Sequence, residues 1–503
     1  MQNPCSLQSA HCAGFPSVKC PPRNPAIRAL TPLILWAASL TVFAELPPTP
    51  PRGVSIINTD GNKALRNDTI MTSSVVDMIS LQEDWNTIES ADGIFTWSTV
   101  QADIEAIANN NKSALLRIPS MGGSVTNGGK TPDWVFVAMK ENPASTTADP
   151  GTTYAFDDGG PKCIPVFWQQ TYLAKKKALI AMAGANLTNE SALKVFVVSY
   201  ANSKTEDWSI PHDNAGSPSQ VQLWQNQPGD PVPGAGYTTQ KMIDAAIHQG
   251  DATFADGVVS NTTTLSSLSA TFTQADVGCS VAGPGYQAKT RIVTWISPTQ
   301  VTLNKSLRKH KKGKVFTIVA RRDGLIDVAM AAFPNQYIAS AVSGNGPDLD
   351  APYVPVGEDP GTYLPKTVDN MASTLYGNRY IVQRNNVSAT TPYEADADDS
   401  TAWSLLADAD AALRPTAGQA LGVCWNNEDY RMNGSTNCDW ENSDCEAAPD
   451  EVCGDPCALD YATVLSRSAE RLYTYHVNYY ELYPPDFHLY DQVASIHDTL
   501  TGP

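Results

Sequence analysis

Basic side chains are scarce in this sequence. Only 34 Lys and Arg stand against 52 Asp and Glu in 503 residues, a formal net charge of −18. Phosphate contacts need a basic face, so this balance argues against nucleic acid as a partner. Charge of either sign is thin, at 17% of residues, while apolar residues make up 42%. Such a composition fits a globular protein that buries a large core and meets neutral partners. Several chemistry-bearing patterns are missing as well. There is no phosphate-binding glycine loop, no Ser nucleophile elbow and no His-Glu-x-x-His zinc pair. No cofactor and no metal are expected.

Long apolar runs are also few. The conspicuous one is 29–44, ALTPLILWAASLTVFA, preceded by Arg23 and Arg28 and ending in Val42-Phe43-Ala44. A run of this length behind basic residues and before a small-residue end has the pattern of a signal peptide. It contains Pro32 and is short for a membrane span. Residues 1–44 are therefore expected to be a signal peptide, with an uncleaved anchor as the alternative. The mature protein is expected to be secreted, without a membrane span. Pro47–Pro51 then makes a short stiff linker. Seven cysteines follow, five of them between Cys424 and Cys457. In an exported chain these predict disulfides, and the odd total leaves one thiol over, at Cys163 or Cys424.

What the chain does have is a succession of short β-type runs, each followed by polar residues. They lie at Gly53–Asn58, Val75–Leu81, Ala114–Ile118, Lys194–Ser199, Tyr337–Val342, Arg379–Gln383, Ala420–Trp425 and Tyr475–Tyr480. Helix-spaced segments separate them, among them Thr99–Asn110, Leu173–Ala185, Thr401–Leu413 and Ala458–Tyr473. Eight βα units predict an α/β chain folded as a (β/α)8 TIM barrel. Between 249 and 322 the period changes to two, in Thr-, Ser-, Val- and Gly-rich runs such as RIVTWISPTQVTLNKSL. A helical pattern interrupted and then resumed predicts a small all-β domain inserted between strands 4 and 5. The expected layout is 45–248 and 323–503 as the two parts of the barrel, with 249–322 as the insertion. A Cys-rich acidic loop at 426–457 belongs to the second part.

Two local patterns carry a family resemblance. Trp85-x-x-Ile88-Glu89 followed by Asp92-Gly93-x-Phe95-x-Trp97 resembles the segment after the second strand in clan A glycoside hydrolases of the family 42 and family 5 type. Thr131-Pro132-Asp133-Trp134 resembles their segment after strand three. Ser90 stands where those enzymes usually have proline. Within 249–322, Phe272-Thr273-x-x-Asp276-Val277-Gly278 resembles a motif of small β modules in phage tail and bacterial surface proteins. The run Arg308–Lys314 in this segment is expected to be a solvated hairpin tip, with a cell-surface or glycan contact as the sharper reading.

The resemblance implies a glycosidase that cleaves O-glycosidic bonds of an oligo- or polysaccharide with retention, using two carboxyls. One protonates the leaving oxygen and the other attacks the anomeric carbon. The acid/base in that clan follows strand four, which points to Glu206 in LKVFVVSYANSKTEDW, with Asp207 as fallback. Asn202 precedes Glu206 by four residues, where the clan usually has an adjacent Asn-Glu pair. The nucleophile follows strand seven, which points to Glu428. Glu481 competes with it, because the aromatics of YYELY would bury it and perturb its proton affinity. Trp134, Trp168, Asn202, Asn345, Asn385 and Trp425 lie at or beside strand ends and are candidate sugar contacts, with Arg117 beside them. Calcium at the acidic loop lacks the EF-hand order, and Cys438, Cys445, Cys453 and Cys457 lack paired zinc spacing. The alternative function is a carbohydrate-binding or surface-adhesion protein on a degenerate hydrolase barrel.

Overall fold

The computed structural model describes residues 50–58, 64–120, 130–141, 165–198, 210, 220–225, 235–260, 263–306, 314–345, 349–385, 387, 400–420 and 461–502. Eight parallel strands close into a barrel: β1 (Gly53–Asn58), β2 (Met78–Gln82), β3 (Ser113–Arg117), β4 (Leu193–Val197), β5 (Tyr337–Ser340), β6 (Tyr380–Arg384), β7 (Thr416–Gln419) and β8 (Tyr479–Leu482). Tyr479 of β8 lies opposite both Gly53 of β1 and Ala417 of β7, which shuts the ring. A helix follows each strand: α1 (Asp68–Thr72), α2 (Ser98–Asn109), α3 (Gln170–Leu187), α4 (Leu325–Ala332), α5 (Pro360–Tyr376), α6 (Ser400–Ala411), α7 (Tyr461–Thr474) and α8 (Tyr490–Thr501). The expected (β/α)8 TIM barrel is the observed fold.

Local chemistry starts these helices where the sequence expects stops and caps. The Asn67 side chain accepts from the Thr69 and Ile70 amides at the head of α1, and Gln169 accepts from Tyr172 at the head of α3. Asp359 caps α5, whose first residue, Pro360, gives up no needed donor. Gly184 lets α3 and α4 touch: a Cβ there would sit 2.3 Å from the Ala332 carbonyl oxygen.

The last two strands depart from the sequence reading. The expected seventh run is Ala420–Trp425, of which 421–425 lie outside the described residues; the described strand there, β7, is Thr416–Gln419, TAGQ, which has no bulky β-branched core residue. Its small residues answer to packing. A Cβ at Gly418 would lie 3.0 Å from the Tyr480 ring of β8. The expected eighth run, Tyr475–Tyr480, shifts to Tyr479–Leu482, so Glu481 lies inside the strand rather than after it.

The barrel interior is layered by the two-residue strand repeat. Met78, Leu115, Val195, Ile381, Ala417 and Tyr479 belong to one apolar cluster in the lumen. Two residues further along the same strands stand Ser80, Arg117, Val197, Gln383, Gln419 and Glu481, all buried. The lumen thus turns polar toward the C-terminal ends of the strands. Arg117 donates from Nη1 to Ser80 Oγ (2.8 Å) and to Glu481 Oε1 (3.0 Å), and from Nη2 to Glu481 Oε2 (2.8 Å). Gln383 Nε2 adds a third bond to that carboxylate at 2.7 Å, and Tyr479 OH donates to Gln383 Oε1 at 3.1 Å.

Between β4 and β5 the chain also builds a separate antiparallel sheet of six strands, in the order 292–297, 300–303, 264–266, 249–260, 314–322 and 280–282. Leu265, Phe272, Ile292, Val301, Phe316 and Ile318 form its own apolar cluster. Its two ends meet: Gln249 pairs with Arg322, and the Asp323 amide donates to the His248 carbonyl. A Cβ on Gly324, at the head of α4, would sit 2.5 Å from the Ala246 carbonyl oxygen, so the incoming and outgoing chains are in contact. The Phe272–Gly278 motif is a turn fixed by Asp276. Its fully buried carboxylate accepts from the Thr273 amide at 2.8 Å and from Arg321 at 2.7 and 3.0 Å. Cys279, beside that turn, has a free thiol. Cys163 and Cys424, the positions expected to hold one, lie outside the described residues.

The Arg117–Glu481 pair yields a stability prediction. Glu481→Leu or Arg117→Met alone leaves a buried charge without its partner and should cost about 3–5 kcal/mol. The two substitutions together should recover most of that loss. Urea unfolding of the four proteins in the cycle measures the coupling, and simply additive losses would refute it.

Candidate active site

In this fold the chemistry of a barrel sits where the strands end and the βα loops begin. Glu206, Asp207 and Asn202 follow β4 in the chain, and Trp425 and Glu428 follow β7, but all five lie outside the described residues. The remaining candidates can be placed.

Glu481 is fully buried in the lumen with both carboxylate oxygens bonded. It belongs to the eighth strand, not to the seventh strand end where the resemblance puts a nucleophile. Asn385, just past β6, is buried and accepts from Gln383 Nε2 at 3.3 Å, so it extends the same network. Gln383 and Ser80 complete that cluster and were not singled out in the sequence. Their only signal there was a polar residue two places beyond an apolar one in a strand run.

Asn345 follows β5 and is fully buried. Its Oδ1 accepts from the Ile210 amide at 3.2 Å and its Nδ2 donates to Tyr237 OH at 3.0 Å. Its own amide donates to Asp350 Oδ2 at 2.7 Å, and the Tyr237 hydroxyl also donates to Asp350. Burial pushes the Asp350 carboxyl above the usual range, against the pull of these bonds. Trp168 is buried too. Its Nε1 donates to the Ala235 carbonyl at 3.0 Å, and its ring meets Trp224 and Tyr237 edge-on at 5.6 and 5.4 Å. Both side chains therefore brace the wall around strands four and five.

Trp134 is half-buried at the start of the helix Asp133–Glu141. Together with the motif after strand two it forms one assembly. Trp85 Nε1 donates to Glu89 Oε2 at 2.8 Å, the Gly93 amide donates to Glu89 Oε1 at 2.9 Å, and Trp134 Nε1 donates to the Glu89 carbonyl at 3.1 Å. The Trp85 and Trp134 rings meet edge-on at 6.3 Å. Lys176, buried, holds its ammonium 5.3 Å from the Trp85 ring centre and donates to the Ile118 carbonyl and to Ser120 Oγ at the end of β3. The two segments that resemble clan A hydrolases thus converge on Glu89: its carboxylate ties Trp85 to Gly93, and its backbone carbonyl receives Trp134.

Two carboxyls on this side of the barrel have raised proton affinity. Burial pushes Glu89 up to about 7, against the bonds from Trp85 and Gly93. Burial, reinforced by the Asp103 carboxylate, pushes Glu83 up to about 7 as well. Among the described residues no group of three His, Cys, Asp or Glu is placed to hold a metal ion, and no helix is long and apolar enough to cross a membrane.

Both glutamates bind their proton more tightly folded than unfolded, where the ordinary value is 4.5. The stability this contributes is complete below about pH 4.5 and is lost as the pH rises through about 7. Each group is worth at most about 3 kcal/mol over that window. Urea unfolding should therefore show a lower midpoint at pH 8 than at pH 5. Glu83→Gln and Glu89→Gln should each remove part of that slope, and variants whose midpoints fall with pH as steeply as the wild type's would contradict the assignment.

No protein family profile matches this chain, and no curated protein matches it. Some solved structures are similar to it at low identity and low TM-score. They include endo-glycoceramidase II from Rhodococcus sp. (10% identity, TM-score 0.35, 87% of this chain and 73% of that one). Native xylanase10C from Cellvibrio japonicus is another (9%, 0.40, 91% and 72%). A GH5_18 structure from Bifidobacterium longum subsp. infantis matches over 39% of each chain at 9% identity and TM-score 0.21, so this chain spans about two-fifths of its length. The barrel itself is established by the strand pairing of this chain.

Proposed function

We propose that this chain is a secreted glycoside hydrolase that cleaves an oligo- or polysaccharide with retention of configuration. The observation that supports it best is the asymmetry of the lumen. One layer of the lumen is mainly apolar, and the next layer toward the strand ends carries Arg117, Gln383 and Glu481 as a hydrogen-bonded floor. Such a floor fixes the strand ends relative to one another, and catalysis needs reacting groups held to a fraction of an ångström. In this reading Glu206, after β4, protonates the glycosidic oxygen as the bond breaks. A second carboxylate attacks the anomeric carbon from the opposite face and is released by water, with Glu206 then acting as base. Glu481 has three donors on its two oxygens and no exposed edge, so its part is to position the floor. The attacking group then falls to Glu428, after β7.

The same saturation of Glu481 favours a second reading, a barrel that binds carbohydrate without cutting it. The two separate in one experiment. Wild type, Glu206→Gln and Glu428→Gln are assayed on a panel of aryl glycosides and polysaccharides, with thermal unfolding as the fold control. Each substitution should lower kcat/KM by about 10³-fold at unchanged Tm. Turnover indifferent to both would sink the residue assignment, and glycan binding without turnover in the wild type would establish the second reading.

A further inference from the structure

A cleft of 1080 Å³ runs between α3 of the barrel and the six-stranded sheet. That volume is at the upper end of what small-molecule sites use, and such sites favour the seams between structural units. One wall comes from α3 and the hairpin 89–95, and the other from the sheet. Gln274 Nε2 of the sheet donates to the Ala181 carbonyl of α3 at 3.3 Å, which fixes the two walls against each other.

The lining is charged but neutral in sum of its contacts. Lys175 pairs with Asp92 at 2.7 Å and Lys177 with Asp323 at 3.1 Å. Arg321 is engaged by Asp276 at 2.7 Å, and Lys241 donates to the Gly236 carbonyl at 2.6 Å. An anionic ligand would have to displace these carboxylates and approach a chain of net charge −18, while a cationic one would face the lysines. Thr253, Thr271, Ser297 and Thr299 also line the cleft; the Thr253 hydroxyl bonds that of Thr317 at 2.8 Å and those of Ser297 and Thr299 bond each other at 3.3 Å, each keeping capacity for a further bond. Half-buried Phe95 and Phe254 line opposite walls, and Leu268 stands at the lip with 83% of its surface exposed. Hydroxyl donors and acceptors alternating with apolar faces suit a ligand that is itself uncharged, hydroxyl-rich and ridged with C–H faces.

We propose that this cleft is a binding site for a neutral oligosaccharide, with the six-stranded sheet supplying one of its walls. The cleft shares no described residue with the lumen network of Arg117, Gln383 and Glu481, and in this proposal it holds glycan whether or not the barrel hydrolyses it.

Isothermal titration of the full-length Glu206→Gln protein with neutral β-1,4-linked hexasaccharides of glucose, xylose and mannose tests this, with hexagalacturonate as the charged comparison. The Leu268→Arg/Thr299→Arg double substitution crowds the cleft at two exposed positions. At least one neutral hexasaccharide should bind, and the double substitution should weaken it by about tenfold or more at unchanged Tm. Three results would overturn the proposal: no neutral hexasaccharide bound at about 1 mM, affinity indifferent to the double substitution, or hexagalacturonate bound more tightly than all three. Cleft-dependent binding alongside a wild type that cleaves nothing would retire the hydrolase reading and leave this one standing.

Discussion

Everything at the mouth of this barrel depends on one buried contact across its lumen. Arg117 of β3 reaches Glu481 of β8 with both terminal nitrogens, and Ser80 of β2 and Gln383 of β6 close in on the same groups. Four strands that are not all neighbours are thereby tied through their interior. A charged pair removed from water is weak evidence for net stability, since desolvation offsets much of the attraction. Its value lies in specifying geometry. The fork of the guanidinium matches the carboxylate only in one relative placement of the two strands.

The same logic recurs outside the lumen. Buried carboxylates anchor three places in the chain: Glu89 ties Trp85 to Gly93 in the segment after β2, Asp350 joins the wall beside β5, and Asp276 joins the turn of the second sheet to Arg321. In a sequence so poor in charge, the acidic groups that are buried are those that tie one element to another.

The architecture was legible because its core strands follow simple rules. GVSIIN and LKVFV are β-branched runs that need two apolar faces, and each appears as a barrel strand. The change of period at 249 marks the point where a different sheet begins. Legibility failed where packing asks for small residues. TAGQ carries no strand signal of its own, and only the Tyr480 ring above Gly418 explains it. The role of Glu481 was half visible. Its burial followed from YYELY, but its partner Arg117 lies far away in the sequence, and no local pattern announces a contact made across a closed barrel. Asn345 and Trp168 had the residue types and positions of sugar contacts, yet their polar atoms are bonded within the protein, a fact that only tertiary structure reveals.

The second sheet leaves and rejoins the barrel through facing residues, Gln249 and Arg322, with His248 and Asp323 bonded just outside them. Opposed strand residues are about 5 Å apart, so the barrel's own chain is interrupted by no more than a short step. The entropy of joining ends grows only with the logarithm of the intervening length, and here the ends are already held together. The barrel closes through pairings among β1–β8 alone, so no strand of the second sheet enters its hydrogen-bond circuit.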